Sequence, residues 1–263
     1  MTRLVSVEVE GRRFDVEIAW VGPPETDPAL PVVVFLHEGL GSVAMWKDFP
    51  ARLCDAIGRR GLVYSRPGYG ASTPRPADEH WGIDFMHVQA ASVLPKLLEA
   101  LEIRRPIVLF GHSDGGSIAL IHAARFPDRV AAAIVMAPHI LVEESGLRSI
   151  RAARTAYETT DLRDKLARYH QDVDSAFRGW NDIWLSPEFI PWTIVDLLPA
   201  IRCRVLAIQG VDDQYGTLAQ IDGIADRVTG TRLVKLPACG HSPHRDQPRA
   251  VIGAVESFLS ASA

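Results

Sequence analysis

Apolar residues fall along this chain in two rhythms. At the start, VSVEVEG and RFDVEIAW alternate apolar and polar positions. That is the period of strands covered on one face, and the two read as a hairpin. From residue 31 onward the rhythm changes to short continuous apolar runs: PVVVFLH (31–37), LVYSRPGYG, PIVLFGHS, VAAAIVMAP (130–138), RVLAIQG (204–210) and RLVKLPA (232–238). Runs of this kind predict strands buried on both faces. Helical spacing separates them: ARLCDAIGRRG (51–61) with Gly61 at its end, DFMHVQAASVLPKLLEALEI (84–103), SIALIHAARF, and RAVIGAVESFLSA near the C-terminus. Pro95 is expected to kink or break the second of these helices. Alternation of strand and helix predicts an α/β fold, a mostly parallel, doubly wound sheet with helices on both faces.

Residues 139–200 interrupt the alternation. They hold no convincing strand, are helical in flavour, and carry three of the six tryptophans: Trp180, Trp184 and Trp192. An insertion at this point of an open α/β sheet lies over the C-terminal edge of the strands, where such sheets bind ligands. The expected organisation is a core domain from residues 1–138 and 201–263, with 139–200 as a helical cap.

Composition narrows the function classes. The 263 residues are 47% hydrophobic, enough for one α/β domain with a substantial core. A net charge of −4 offers no broad basic surface, so nucleic acid is not an expected partner. No apolar run reaches membrane-spanning length, and the first residues lack the apolar stretch of a secretion signal. Cys54, Cys203 and Cys239 are odd in number and far apart, which suits a reduced protein better than a disulfide framework. The expectation is a cytoplasmic monomer or homodimer acting on a small molecule.

The chemistry centres on Gly111-His112-Ser113-Asp114-Gly115, which follows a predicted strand and opens a predicted helix. In that setting a sharp turn pushes the serine hydroxyl outward and glycines relieve crowding. The helix N-terminus sets the Asp114 amide where negative charge develops. A serine nucleophile needs a base, and the base needs a carboxylate to orient it. Val211-Asp212-Asp213 follows the strand RVLAIQG, and Cys239-Gly240-His241 follows RLVKLPA. Serine, acid and histidine thus stand just beyond three strands on one sheet edge. Spacing leaves Asp212 and Asp213 both open as the acid. His241 and His244 do not make a metal site without further ligands, and no metal or organic cofactor is expected.

On these residues the chain resembles the α/β-hydrolase superfamily over essentially its whole length. The resemblance implies a Ser113, Asp213, His241 triad, because the family's acid commonly lies three residues after the glycine ending its strand, here Gly210; Asp212 is the runner-up. His37-Glu38-Gly39-Leu40-Gly41-Ser42 resembles the His-Gly-rich loop of esterases and lipases. That match makes Gly39 the second oxyanion donor beside Asp114, with Leu40 as second choice. The sequence departs from the family at Glu38, where glycine is usual. Glu38 either borders the site entrance or points to solvent or an arginine such as Arg66. SRPGYGAS (65–72) resembles the superfamily's D-x-x-G-x-G-x-S turn with Ser65 in place of aspartate.

The implied activity is hydrolysis of a small, hydrophobic carboxylic ester through an acyl-enzyme. The alternative is a carbon–carbon bond hydrolase of the meta-cleavage type, or a thioesterase, from aromatic degradation. Ser-Asp-Gly-Gly is also similar to the elbow of aminoacyl-ester hydrolases, whose aspartate helps hold a substrate amine; the plainer reading of Asp114 is an acid stabilised by the helix dipole. A non-catalytic ligand-binding member of the fold is the remaining class. Glu38, His139, Trp180 and Trp184 are candidate substrate-binding residues. Arg148, Arg151 and Arg154, with His139, lie where a substrate carboxylate would enter, or are solvated cations on a helix face.

Overall fold

The computed structural model describes residues 1–27 and 29–261. The opening alternation becomes a hairpin, β1 (Thr2–Val9) against β2 (Arg12–Val21), with Val5 opposite Val16. The apolar runs become β3 (Val33–Leu36), β4 (Gly61–Tyr64), β5 (Ile107–His112), β6 (Val130–Met136), β7 (Arg204–Gly210) and β8 (Arg232–Leu236). All join one eight-stranded sheet in the order β1-β2-β4-β3-β5-β6-β7-β8. β2 is antiparallel to both its neighbours, and every other pair is parallel. The six parallel strands therefore end on one edge.

Continuous apolar runs follow from burial on two faces. Val34, Leu36, Leu109 and Val135 face one core, and Val33, Phe35, Phe110 and Ile134 face the other. α1 (Phe49–Ile57) and α10 (Pro248–Ser260) cover the second core. The first core lies under α2 (Phe85–Val88), α3 (Leu94–Ala100) and α4 (Asp114–Arg125). A single π turn, Gln89–Val93, joins α2 to α3. Pro95 lies directly after the π turn at the start of α3, and the Ala90 carbonyl, five residues before it, pairs with His122 Nδ1 (2.8 Å).

One boundary differs from the sequence reading. α1 ends at Ile57 because Gly58 takes the left-handed conformation (φ 61°), so Gly61 opens β4 instead of closing the helix.

Between β6 and β7 come α5 (Glu144–Thr159), α6 (Leu162–Leu166) and α7 (Val173–Trp184). Among the described residues this segment contains no strand beyond the isolated bridge Leu141–Thr193. Its Ile150, Phe177, Trp180 and Trp184 join the same apolar cluster as α4. α8 (Ala219–Ala225) follows β7, and α9 (Pro243–Asp246) precedes α10. Among the described residues no helix is long and apolar enough to cross a membrane.

Candidate active site

Ser113 stands between β5 and α4 at φ 53°, ψ −121°, a conformation that L-residues adopt only under constraint. Its amide donates to the Met136 carbonyl (2.9 Å), and its own carbonyl accepts from the amides of Gly116 (2.8 Å) and Ser117 (3.1 Å). A side chain at Gly115 would put Cβ 2.1 Å from the Leu36 carbonyl oxygen, so only glycine lets α4 start this close to β3. Ser113 Oγ lies 3.5 Å from His139 Nε2. Among the described residues it makes no hydrogen bond to His241, which lines the same cavity. Ser117 Oγ locks the backbone of His139, donating to its carbonyl (2.6 Å) and accepting from its amide (3.1 Å). Burial pushes the His139 imidazole down to about 3, so it is neutral.

Beyond β7 and β8, His241 Nδ1 lies 2.9 and 3.0 Å from the two carboxylate oxygens of Asp213. The carboxylate is buried and also accepts from the Tyr215 amide (2.8 Å) and Gln209 Nε2 (3.2 Å). Burial alone would raise the Asp213 pKa, but the bonds from His241 and Tyr215 outweigh it and hold the group below its ordinary value. Burial lowers the pKa of His241 despite the Asp213 charge. Asp212, one residue earlier, is exposed and engages through its backbone amide, which donates to the Cys239 carbonyl (3.0 Å).

The loop after β3 resolves the question raised by Glu38. Its carbonyl accepts from His37 Nδ1 (2.7 Å), Arg66 Nη2 (3.0 Å) and the Gly41 amide (3.0 Å). In a trans peptide the C=O and the next N–H point opposite ways, so these donors turn the Gly39 amide to the other side. The amides of Gly39, Leu40 and Asp114 have no hydrogen-bond partner among the described residues, and all three residues line the cavity. Glu38 is not among the residues at positive φ, so a glutamate fits where glycine is usual. Gly39 itself must be glycine because Trp180 packs on it: a Cβ would lie 2.2 Å from Trp180 Nε1.

The Glu38 carboxylate does not meet Arg66. It lies 3.4 Å from His112 Nδ1 and 3.3 Å from Arg245 Nη2. Burial would raise its pKa, but these two neighbours hold it well below the ordinary value. Arg66 is buried and instead approaches the Asp114 carboxylate, with 3.9 Å between Nη2 and Oδ2. Trp184 Nε1 donates to the other Asp114 oxygen (3.2 Å). Burial raises the Asp114 carboxyl to about 6, against the pull of Arg66.

Ser113, His241, Gly39, Leu40, Asp114, Glu38, His139, Trp180 and Trp184 thus meet around one cavity of about 190 Å³, with Asp213 behind His241. Ile150, Gln214, Tyr215 and Ser242 also line it and went unread in the sequence. Gln214, Tyr215 and Ser242 adjoin Asp213 and His241, so adjacency was a usable signal; Ile150 gave none. The arginines considered for a substrate carboxylate lie elsewhere. Arg151 pairs with Glu144 (2.7 Å), Arg154 binds Asn181 (2.6 Å) and Asp182 (2.8 Å), and Arg148 is exposed and outside the lining. Ser65 has recruited a carboxylate from β2: its Oγ donates to Glu17 Oε2 (2.7 Å) and accepts from the Val43 amide (2.9 Å). The same Glu17 oxygen also accepts from the Ala71 amide (3.0 Å), which ties the 65–72 turn to β2.

Known proteins share this framework. Serine hydrolase BPHL of Mus musculus is 28% identical over 203 residues, covering 75% of this chain and 68% of that protein. A 2-hydroxy-6-oxo-2,4-heptadienoate hydrolase of Pseudomonas putida is 27% identical over 254 residues, covering 87% of this chain and 89% of the relative. The proline iminopeptidase structure from Mycobacterium smegmatis superposes with a TM-score of 0.76 at 20% identity, over 98% of this chain and 97% of that one, a likeness of fold. Residues 33–254, which run from β3 into α10 and include every residue lining the cavity, match the alpha/beta hydrolase family, and the chain belongs to it.

Proposed function

We propose that this hydrolase cleaves a small, predominantly hydrophobic carboxylic ester through an acyl-enzyme on Ser113. The observation that carries the reading is the pairing of the Asp213–His241 contact with unpartnered amides at Gly39 and Asp114, all around one serine hydroxyl. Ser113 Oγ attacks the carbonyl carbon while His241 Nε2 takes its proton. Asp213 holds the imidazole in the Nδ1–H tautomer and stabilises its charge once protonated. The amides of Gly39 and Asp114 stabilise the oxyanion, each worth about 3 kcal/mol of barrier. The tetrahedral intermediate collapses, the alcohol leaves with the proton from His241, and water then releases the acid by the same steps in reverse. His241 and Ser113 close to hydrogen-bond distance in the substrate complex, as apo geometry at such sites is often loose.

Residues 139–200 act as a cap in this reading, with Trp180, Trp184 and Ile150 supplying an apolar wall. The name of the Pseudomonas putida relative favours a second reading, cleavage of a carbon–carbon bond in a dienoate. Charge argues against it. Among the described residues no lysine or arginine lines the cavity, so its wall offers no cation to pair with a substrate carboxylate. The same wall suits an uncharged ester. Turnover of short-chain p-nitrophenyl esters tests the proposal: wild type should hydrolyse them and Ser113→Ala should lose at least about 1000-fold in kcat. Equal rates in the two proteins, or turnover of dienone acids alone, would sink it.

A further inference from the structure

The segment between α6 and α7 is sewn to the core by three consecutive residues. The Tyr169 hydroxyl accepts from Lys47 Nζ (2.8 Å), and the Gln171 amide donates to the Gly70 carbonyl (2.8 Å). Between them, buried His170 is bonded through both ring nitrogens. Nδ1 accepts from the Gly70 amide (3.0 Å), and Nε2 donates to the Leu40 carbonyl (3.0 Å). Because an amide can only donate and a carbonyl can only accept, these partners fix the neutral tautomer with the proton on Nε2. Burial lowers the His170 pKa, which keeps that form.

The Leu40 carbonyl shares its peptide plane with the Gly41 amide, and the Gly41 amide donates to the Glu38 carbonyl (3.0 Å). That carbonyl shares its plane with the Gly39 amide. His170 therefore anchors the first of two linked peptide planes, and the second carries the unpartnered Gly39 N–H. We infer that His170 is a positioning residue: reaching from the inserted helices, it holds the Leu40–Gly41 peptide and so aims the Gly39 amide at the oxyanion. The inference rests on the hydrolase reading above. It gives the insert a second task, since the same segment that walls the cavity also braces a loop lying 130 residues earlier in the chain.

Three variants of the full-length protein test this. Glutamine sets an amide N–H near the place of Nε2, and asparagine sets an oxygen near the place of Nδ1, so the two separate the Leu40 bond from the Gly70 bond. His170→Ala should lower kcat on p-nitrophenyl acetate roughly tenfold, the value of one lost hydrogen bond. KM should stay within about twofold, because oxyanion donors act on the transition state. His170→Gln should recover most of kcat, and His170→Asn should stay near the alanine variant. Amide hydrogen exchange across residues 37–42 should quicken in the alanine and asparagine variants only. An alanine variant with wild-type kcat and wild-type exchange overturns the inference, as does rescue by asparagine without rescue by glutamine. If wild type turns over no ester, the hydrolase reading falls by itself. Exchange across 37–42 then decides the clamp: faster in His170→Ala upholds it and unchanged defeats it.

Discussion

Two histidine–carboxylate pairs stand at the cavity that Ser113 lines, and they are differently bonded. Asp213 grips His241 at Nδ1 (2.9 and 3.0 Å) and leaves its Nε2 without a partner among the described residues. Glu38 lies 3.4 Å from His112 Nδ1, but His112 Nε2 is already committed, donating to the His241 carbonyl (2.7 Å). The first pair leaves a nitrogen free, as the base proposed for the Ser113 hydroxyl requires. The second spends its Nε2 on bracing the backbone of the first. A carboxylate beside an imidazole therefore does not identify a base; the fate of the other nitrogen does. His139 adds the converse case, close to Ser113 Oγ but with no carboxylate bond among the described residues.

The largest test of this contrast is Asp213→Asn, which should cost about 10³- to 10⁴-fold in kcat/KM, because the amide favours the wrong imidazole tautomer. Asp212→Asn, on an exposed side chain, should stay within about twofold. Equal losses in the two variants, measured on one ester, would break the assignment. Glu38→Gln keeps the shape and removes the charge that faces His112 and pairs with Arg245; we expect a loss of roughly three- to tenfold in kcat. A loss as deep as that of Asp213→Asn would make the bracing pair the working one.

The smallest effect is on pH dependence. Burial lowers the His241 pKa, and only the neutral imidazole can accept the serine proton. The rate should therefore fall as pH drops through a value below the ordinary histidine pKa and be level above it. The Glu38 charge raises the His241 pKa, so removing it should move the acid limb to lower pH in Glu38→Gln. A shift the other way in the kcat/KM profile would show that Glu38 does not act through charge on His241.

The sheet and the elbow were legible because their signals are local. Continuous apolar runs mark strands with two covered faces, and a glycine-flanked serine between strand and helix marks a turn with few alternatives. Long-range partners outside these motifs were not legible. Glu38 meets Arg245, 207 residues away, and His170 meets Gly70 and Leu40 across 100 and 130 residues. No periodicity encodes such pairs. The Glu17–Ser65 bond was half visible: Ser65 could be seen in SRPGYGAS, but not the strand that supplies its carboxylate partner. Two local errors have local causes. Gly61 looked like a helix end, yet Gly58 reaches the left-handed region first. α8 escaped notice because AQIDGIA is short, carries a central glycine and has no side-chain cap.

The twisted backbone at Ser113 has company. Ala137 (φ 44°) and Ala238 (φ 51°) also hold left-handed conformations, just past the ends of β6 and β8. Each such residue costs on the order of 1–3 kcal/mol. Glu10, Lys47 and Glu102 hold positive φ elsewhere, so the buried parallel strands are a rigid frame with part of its surplus stability drawn down along the rim where Ser113 stands. A molecule arranged this way trades durability for reactivity, and selection for heat tolerance alone would tend to relax the rim on which its chemistry depends.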